Sequence, residues 1–187
     1  MIAAQRLTSV TAALIVAASV GGCAMGDGVP ASQRDLPQIT LAESKEFLRL
    51  VDADLFARFP VEQIVQDYRR PNEKNTIMGC SDDLEDPYKD GLYLTDGGAI
   101  YVSDAVDFQG IFDQIFEDYN SNKDWDAAWI SRQDELEINI LSPEGYSIYI
   151  SVPISPNEDD EFRVSVHSFG PCIPTPPGLN AATDFEY

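Results

Sequence analysis

The sequence predicts an α+β fold, a two-layer domain in which two amphipathic helices cover one face of an antiparallel sheet and one disulfide ties the whole. Three observations predict it. Apolar residues recur at helical spacing in two separate stretches, residues 47–59 and 108–119. Short segments that alternate apolar and polar residues follow, divided by Gly, Pro and Asn turn signals. Two cysteines, Cys80 and Cys172, stand at the ends of predicted strands, and the third, Cys23, has a different chemistry in prospect.

Residues 1–22 read as a lipoprotein signal peptide. Arg6 supplies the positive charge of the n-region, and residues 7–20 are an apolar run, short for a spanning helix. The run ends in Val20-Gly21-Gly22-Cys23, small residues that fit a narrow peptidase site and a thiol able to carry diacylglycerol. Uncharged residues continue to Met25, so an uncleaved anchor is the competing reading, but a glycine pair serves a membrane span poorly. Lipid on Cys23 would supply two buried chains, enough for stable anchoring. Residues 23–39 then read as a flexible tether with Gly26, Gly28, Pro30, Ser32 and Pro37 and no apolar period. The α+β domain is expected over residues 40–173, followed by a Pro-rich C-terminal tail, residues 174–187, that looks loose.

Within the domain, Thr40-Leu41-Ala42-Glu43 has the capping-box pattern and opens a helix burying Phe47, Leu48, Val51, Leu55 and Phe59. Pro60 stops it, because the residue before proline is pushed out of the helical region. Residues 61–70 and 76–80, separated by Pro71-Asn72-Glu73-Lys74-Asn75, read as a β-hairpin, with a short helix over 62–68 as the alternative. Residues 92–95 and 99–103 flank Asp96-Gly97-Gly98, which signals a second hairpin. Asp107 caps the second helix. Its stripe of Phe108, Ile111, Phe112, Ile115, Phe116 and Tyr119 is continuous, and Asn120 and Asn122 suit its end. Strands follow at residues 125–132, 136–140, 146–152 and 162–172, with Ser142-Pro143-Glu144-Gly145 as a β-turn between the second and third. The result is a four-stranded meander.

Charge excludes some partners. The chain has 12 basic and 32 acidic residues, a formal net charge of −20. That surplus repels phosphate backbones and anionic headgroups, which argues against nucleic acid. The acids read mainly as a solubility device; the sharper alternative is a surface for cations or a basic protein partner.

Cys80 and Cys172 are an even pair in an oxidising compartment, and a bridge between them is expected. Closing a loop of about 90 residues would stabilise the fold by roughly 4–5 kcal/mol in the chain-entropy model. Neither cysteine has the close spacing or the histidine partners of a redox or metal site.

The pattern resembles a group of uncharacterised actinobacterial secreted lipoproteins. The residues that carry the resemblance are the lipobox, Met78-Gly79-Cys80-Ser81, Trp125 and Trp129 after a helix, Glu144-Gly145-Tyr146, and Ser168-Phe169-Gly170-Pro171-Cys172. It spans residues 40–173. The group usually has a second Ser where this chain has Gly170. The resemblance implies architecture and location, and no activity.

Chemistry-bearing residues are sparse. His167 is the sole histidine, and its neighbours Ser165 and Ser168 lack any nucleophile-elbow frame. One histidine is too few for most zinc sites. No glycine-rich phosphate loop is present, so no cofactor and no metal is assigned. The acidic clusters Asp82, Asp83, Glu85, Asp86 and Glu158, Asp159, Asp160, Glu161 lack calcium-loop spacing and read as solvated loops. The expected function is therefore a membrane-anchored, non-catalytic extracytoplasmic binding or accessory module. The alternative is a small secreted hydrolase using paired carboxylates. Metabolic palmitate labelling should follow the protein to the membrane, and Cys23→Ala should abolish the label; full labelling of that variant would refute lipidation at Cys23.

Overall fold

The structure, a computed structural model, describes residues 36–69, 75–180, 183, 186 and 187. The leader, Cys23 and most of the tether lie outside the described residues. In chain order come α1 (Leu41–Phe56), a 3-10 turn (Val61–Gln63), β1 (Ile64–Asp67), β2 (Thr76–Gly79), β3 (Leu92–Ser103) and α2 (Phe108–Ser121). Then follow β4 (Asp126–Ser131), β5 (Glu135–Leu141), β6 (Ser147–Pro153) and β7 (Glu161–Phe169). The fold is α+β, with two helices on a seven-stranded antiparallel sheet.

The helices start where their caps place them, but α1 ends at Phe56 instead of running to Pro60, and Phe59 is buried in the turn beyond its end. Thr40 accepts from the Glu43 amide and the Glu43 carboxylate accepts from the Thr40 amide, so both halves of the capping box are made. Asp107 caps α2 through the Gly110 amide. Leu48, Val51, Leu55 and Phe56 of α1 and Phe112 and Ile115 of α2 are buried, and the rest of the α2 stripe packs partly buried against the core. Between the helices, Phe47 stacks on Tyr146 at 3.8 Å, and Trp125 lies 5.0 Å from the Tyr119 ring. Burying these rings and the sheet's Ile and Val side chains supplies the main driving force for folding.

The sheet order is β1-β3-β7-β6-β5-β4, with β2 also on β3. The meander β4 to β7 is as expected. The two hairpins expected before it are not formed. β1 and β2 do not pair with each other; each pairs with β3, β2 against its first half and β1 against its second. Nor does Asp96-Gly97-Gly98 turn. It lies inside one twelve-residue strand, because β7 pairs continuously from Thr95↔Phe169 to Ser103↔Glu161. Gly97 (φ 149°) is there for close approach: a Cβ would stand 2.3 Å from the Val166 carbonyl oxygen.

Cys80 and Cys172 are bridged, with Cα atoms 6.1 Å apart across a separation of 92 residues. The bridge closes beside the start of β3, where Gly79 and Ile173 both flank Leu92. The C-terminal segment departs from the loose tail expected. Asn75 and Tyr187 exchange both backbone hydrogen bonds, at 2.8 and 2.9 Å, and Lys45 Nζ donates to the Tyr187 carbonyl oxygen. The segment meets only the start of β2's outer edge, where Glu186 forms an isolated bridge with Thr76. Gly170, the position that departs from the resembling group, sits against α1: a Cβ would stand 2.8 Å from Ser44 Oγ. Replacing Gly97 with Ala should lower stability by about 1–3 kcal/mol, since both the backbone conformation and the clash oppose it. Urea unfolding monitored by Trp fluorescence measures the loss, and an unchanged midpoint would refute the close-approach role.

Candidate functional site

Side-chain alternation fixes what the helices meet. Along β7, Val164, Val166 and Ser168 face the helices, and Arg163, Ser165 and His167 face the other way. In the β3–β7 register Asp96 pairs with Ser168 and Gly97 with His167. Asp96 and Ser168 are therefore cross-strand neighbours on the helix-covered face.

α1 brings a carboxylate to the same place. Asp52 lies four residues after Leu48 and three before Leu55, in the buried register, and is only 7% exposed. Its Oδ2 accepts from Ser168 Oγ at 3.1 Å. Its Oδ1 is buried without a hydrogen-bond partner. Burial pushes the Asp52 carboxyl up to about 7, the negative charge of Asp96 pushes in the same direction, and the Ser168 hydroxyl opposes both.

Asp52 lines a cleft of about 520 Å³ between α1 and the middle of β3. Ala53 and Phe56 give it an apolar wall, and Asp96 and Gly97 form the opposite side. Arg49 and Arg69 stand at the rim, each already engaged: Arg49 grips both Glu46 carboxylate oxygens, and Arg69 pairs with Asp67 while lying 6.0 Å from the Phe56 ring centroid. The Arg69 guanidinium holds Asp67 below its ordinary value. A neighbouring hollow of about 620 Å³ shares Asp67, Arg69, Asp96 and Gly97 and reaches His167.

Apart from the bridged cysteines, the sequence candidates are scattered: Ser165 shares the open face of β7 with His167, but no acid joins them in a hydrogen-bonded triad among the described residues. His167 is exposed on the open face of the sheet, whereas Ser168 is fully buried on the helix face, so those two do not meet. The acidic clusters sit in separate loops, the second running into the start of β7 at Glu161, and all their members except Asp83 and Glu161 are exposed. Asp83 is bound to Lys89 and Glu161 accepts from Gln66. Among the described residues no three His, Cys, Asp or Glu side chains are grouped to hold a metal. Sequence reading missed Asp52 and Asp96. A carboxylate in the apolar register of α1 was the available signal for Asp52; Asp96 had none, because it sat in an expected turn.

Comparison with known protein families, curated proteins and solved structures finds no match to this chain. A disulfide of this kind is characteristic of extracytoplasmic domains, and no described helix is long and apolar enough to cross a membrane.

Asp52 makes stability depend on pH. Its carboxyl binds its proton more tightly folded (about 7) than unfolded (3.8), so the folded state is penalised in full above about pH 7 and relieved as pH falls toward 4. Asp52→Asn should therefore be more stable than the native chain at about pH 8, by about 1–2 kcal/mol after the cost of burying the amide, and lose that advantage near pH 5. Denaturant midpoints at the two pH values check this; an advantage that grows on acidification would refute it.

Proposed function

We propose that the chain is a lipid-anchored extracytoplasmic module that binds a ligand without transforming it, and that the ligand occupies the cleft between α1 and β3. The observation that carries the reading is Asp52: a carboxylate oxygen buried without a partner, in the wall of a cleft of ligand size. Such a group is costly in the free protein and gains most when something arrives to satisfy it. Val20-Gly21-Gly22-Cys23 supports the anchor, and the Cys80–Cys172 bridge supports the compartment.

The hydrolase reading has one observation in its favour, the raised Asp52 beside a second carboxylate, Asp96. Against it stands shape: a glycosidic oxygen carries a sugar ring on each side and does not fit against a carboxylate oxygen buried in the cleft wall, which only the narrow tip of a small ligand approaches. Two assays on the purified domain separate the readings. A thermal-shift screen of small molecules should give ligands that raise the melting temperature of the native chain and not of Asp52→Asn. Nitrophenyl glycosides should show no turnover above the buffer rate. Turnover abolished by Asp52→Asn or Asp96→Asn would overturn the non-catalytic reading.

A further inference from the structure

We infer that the α1–β3 cleft takes a small organic cation, a primary amine with a short apolar body, whose ammonium lies between Asp52 and Asp96. This deepens the binding-module reading and rests on it.

Charge in the cleft is unbalanced. Asp52 and Asp96 repel each other across the cleft, and Asp52 Oδ1 has no donor. The cations at the rim do not resolve this: Arg49 is committed to Glu46 and Arg69 to Asp67. An ammonium supplies at once the hydrogen bonds that Oδ1 lacks and the charge that offsets the pair. A metal ion fits less well, since two carboxylates make too few ligands and no third grouped His, Cys or acid accompanies them among the described residues. The remainder of the wall, Ala53 and Phe56, is apolar and suits a hydrocarbon or aryl body. The chain's charge of −20 raises the local concentration of cations around such a mouth.

Proton linkage follows. Asp52 is faced by Asp96 from β3, Ser168 from β7, Asp67 of β1 with Arg69 just after it, Arg49 on its own helix and Tyr119 from α2. Raised by burial and by Asp96, it is partly protonated near neutrality, so a cation must displace that proton.

The test titrates the isotope-labelled domain with phenethylamine, phenethyl alcohol and 3-phenylpropionate at matched ionic strength, following backbone amide shifts. Phenethylamine should shift Ala53, Phe56 and Gly97 saturably, and the alcohol and the acid should bind about tenfold or more weakly. Its affinity should fall as pH drops through neutrality. Asp52→Asn should bind about tenfold or more weakly while being more stable at alkaline pH, opposite signs that a purely structural role would not give. Asp96→Asn, at a partly exposed site, serves should the first variant fail to fold, and should also weaken binding. Equal or tighter binding of the alcohol or the acid at those amides overturns the cation inference and leaves the binding module standing. Amine binding indifferent to both variants, or no amide shift in the cleft, overturns the inference outright.

Discussion

The structure depends on the pairing of β3 with β7. These two strands share an unbroken antiparallel register from Thr95↔Phe169 to Ser103↔Glu161, and every other element is placed relative to them. β6 continues the sheet from β7, while β1 and β2 line up end to end on the far side of β3. Because side chains alternate strictly, that register also sorts chemistry by face. Val164, Val166 and Ile100 go to the core, and His167 and Arg163 go to the open face. A one-residue slip would exchange the two sets.

The same register creates the candidate site. Asp96 and Ser168 are the polar positions that the alternation sends inward, and α1 lays Asp52 over them. The molecule tolerates this arrangement with one hydrogen bond to Ser168 and a carboxyl displaced toward neutrality. A hydrophobic residue at position 52 would complete the core more cheaply, since burying an under-satisfied carboxylate is unfavourable. Local conflict of this kind, set beside a cleft and a mid-strand glycine in an unusual conformation, marks where a chain departs from pure stability.

The disulfide acts at the other end of β3. It joins the chain after β2 to the chain after β7, both of which flank Leu92. The covalent link therefore fixes the strand around which the sheet is ordered, in a domain whose acidic surplus opposes compaction. The pairing of Tyr187 with Asn75 ties the end of the chain to the segment just ahead of β2.

The sequence by itself determined the fold class, both helices with their N-terminal caps, the four-stranded meander and the partnership of Cys80 with Cys172. Each is written in local signals: the Thr40–Glu43 box, the 3.6-residue period of Phe108 to Tyr119, the alternation of residues 136–152, and the count of cysteines. Tertiary structure decided the rest. Asp96-Gly97-Gly98 has the local chemistry of a turn, and only a partner strand more than sixty residues away keeps it extended. β1 and β2 have strand-forming sequences, but their choice of β3 over each other is a long-range pairing with no local signature. The site was hidden for the same reason. Asp52 is an ordinary helix residue until the packing of α1 on β3 and β7 removes it from water and sets it beside Asp96.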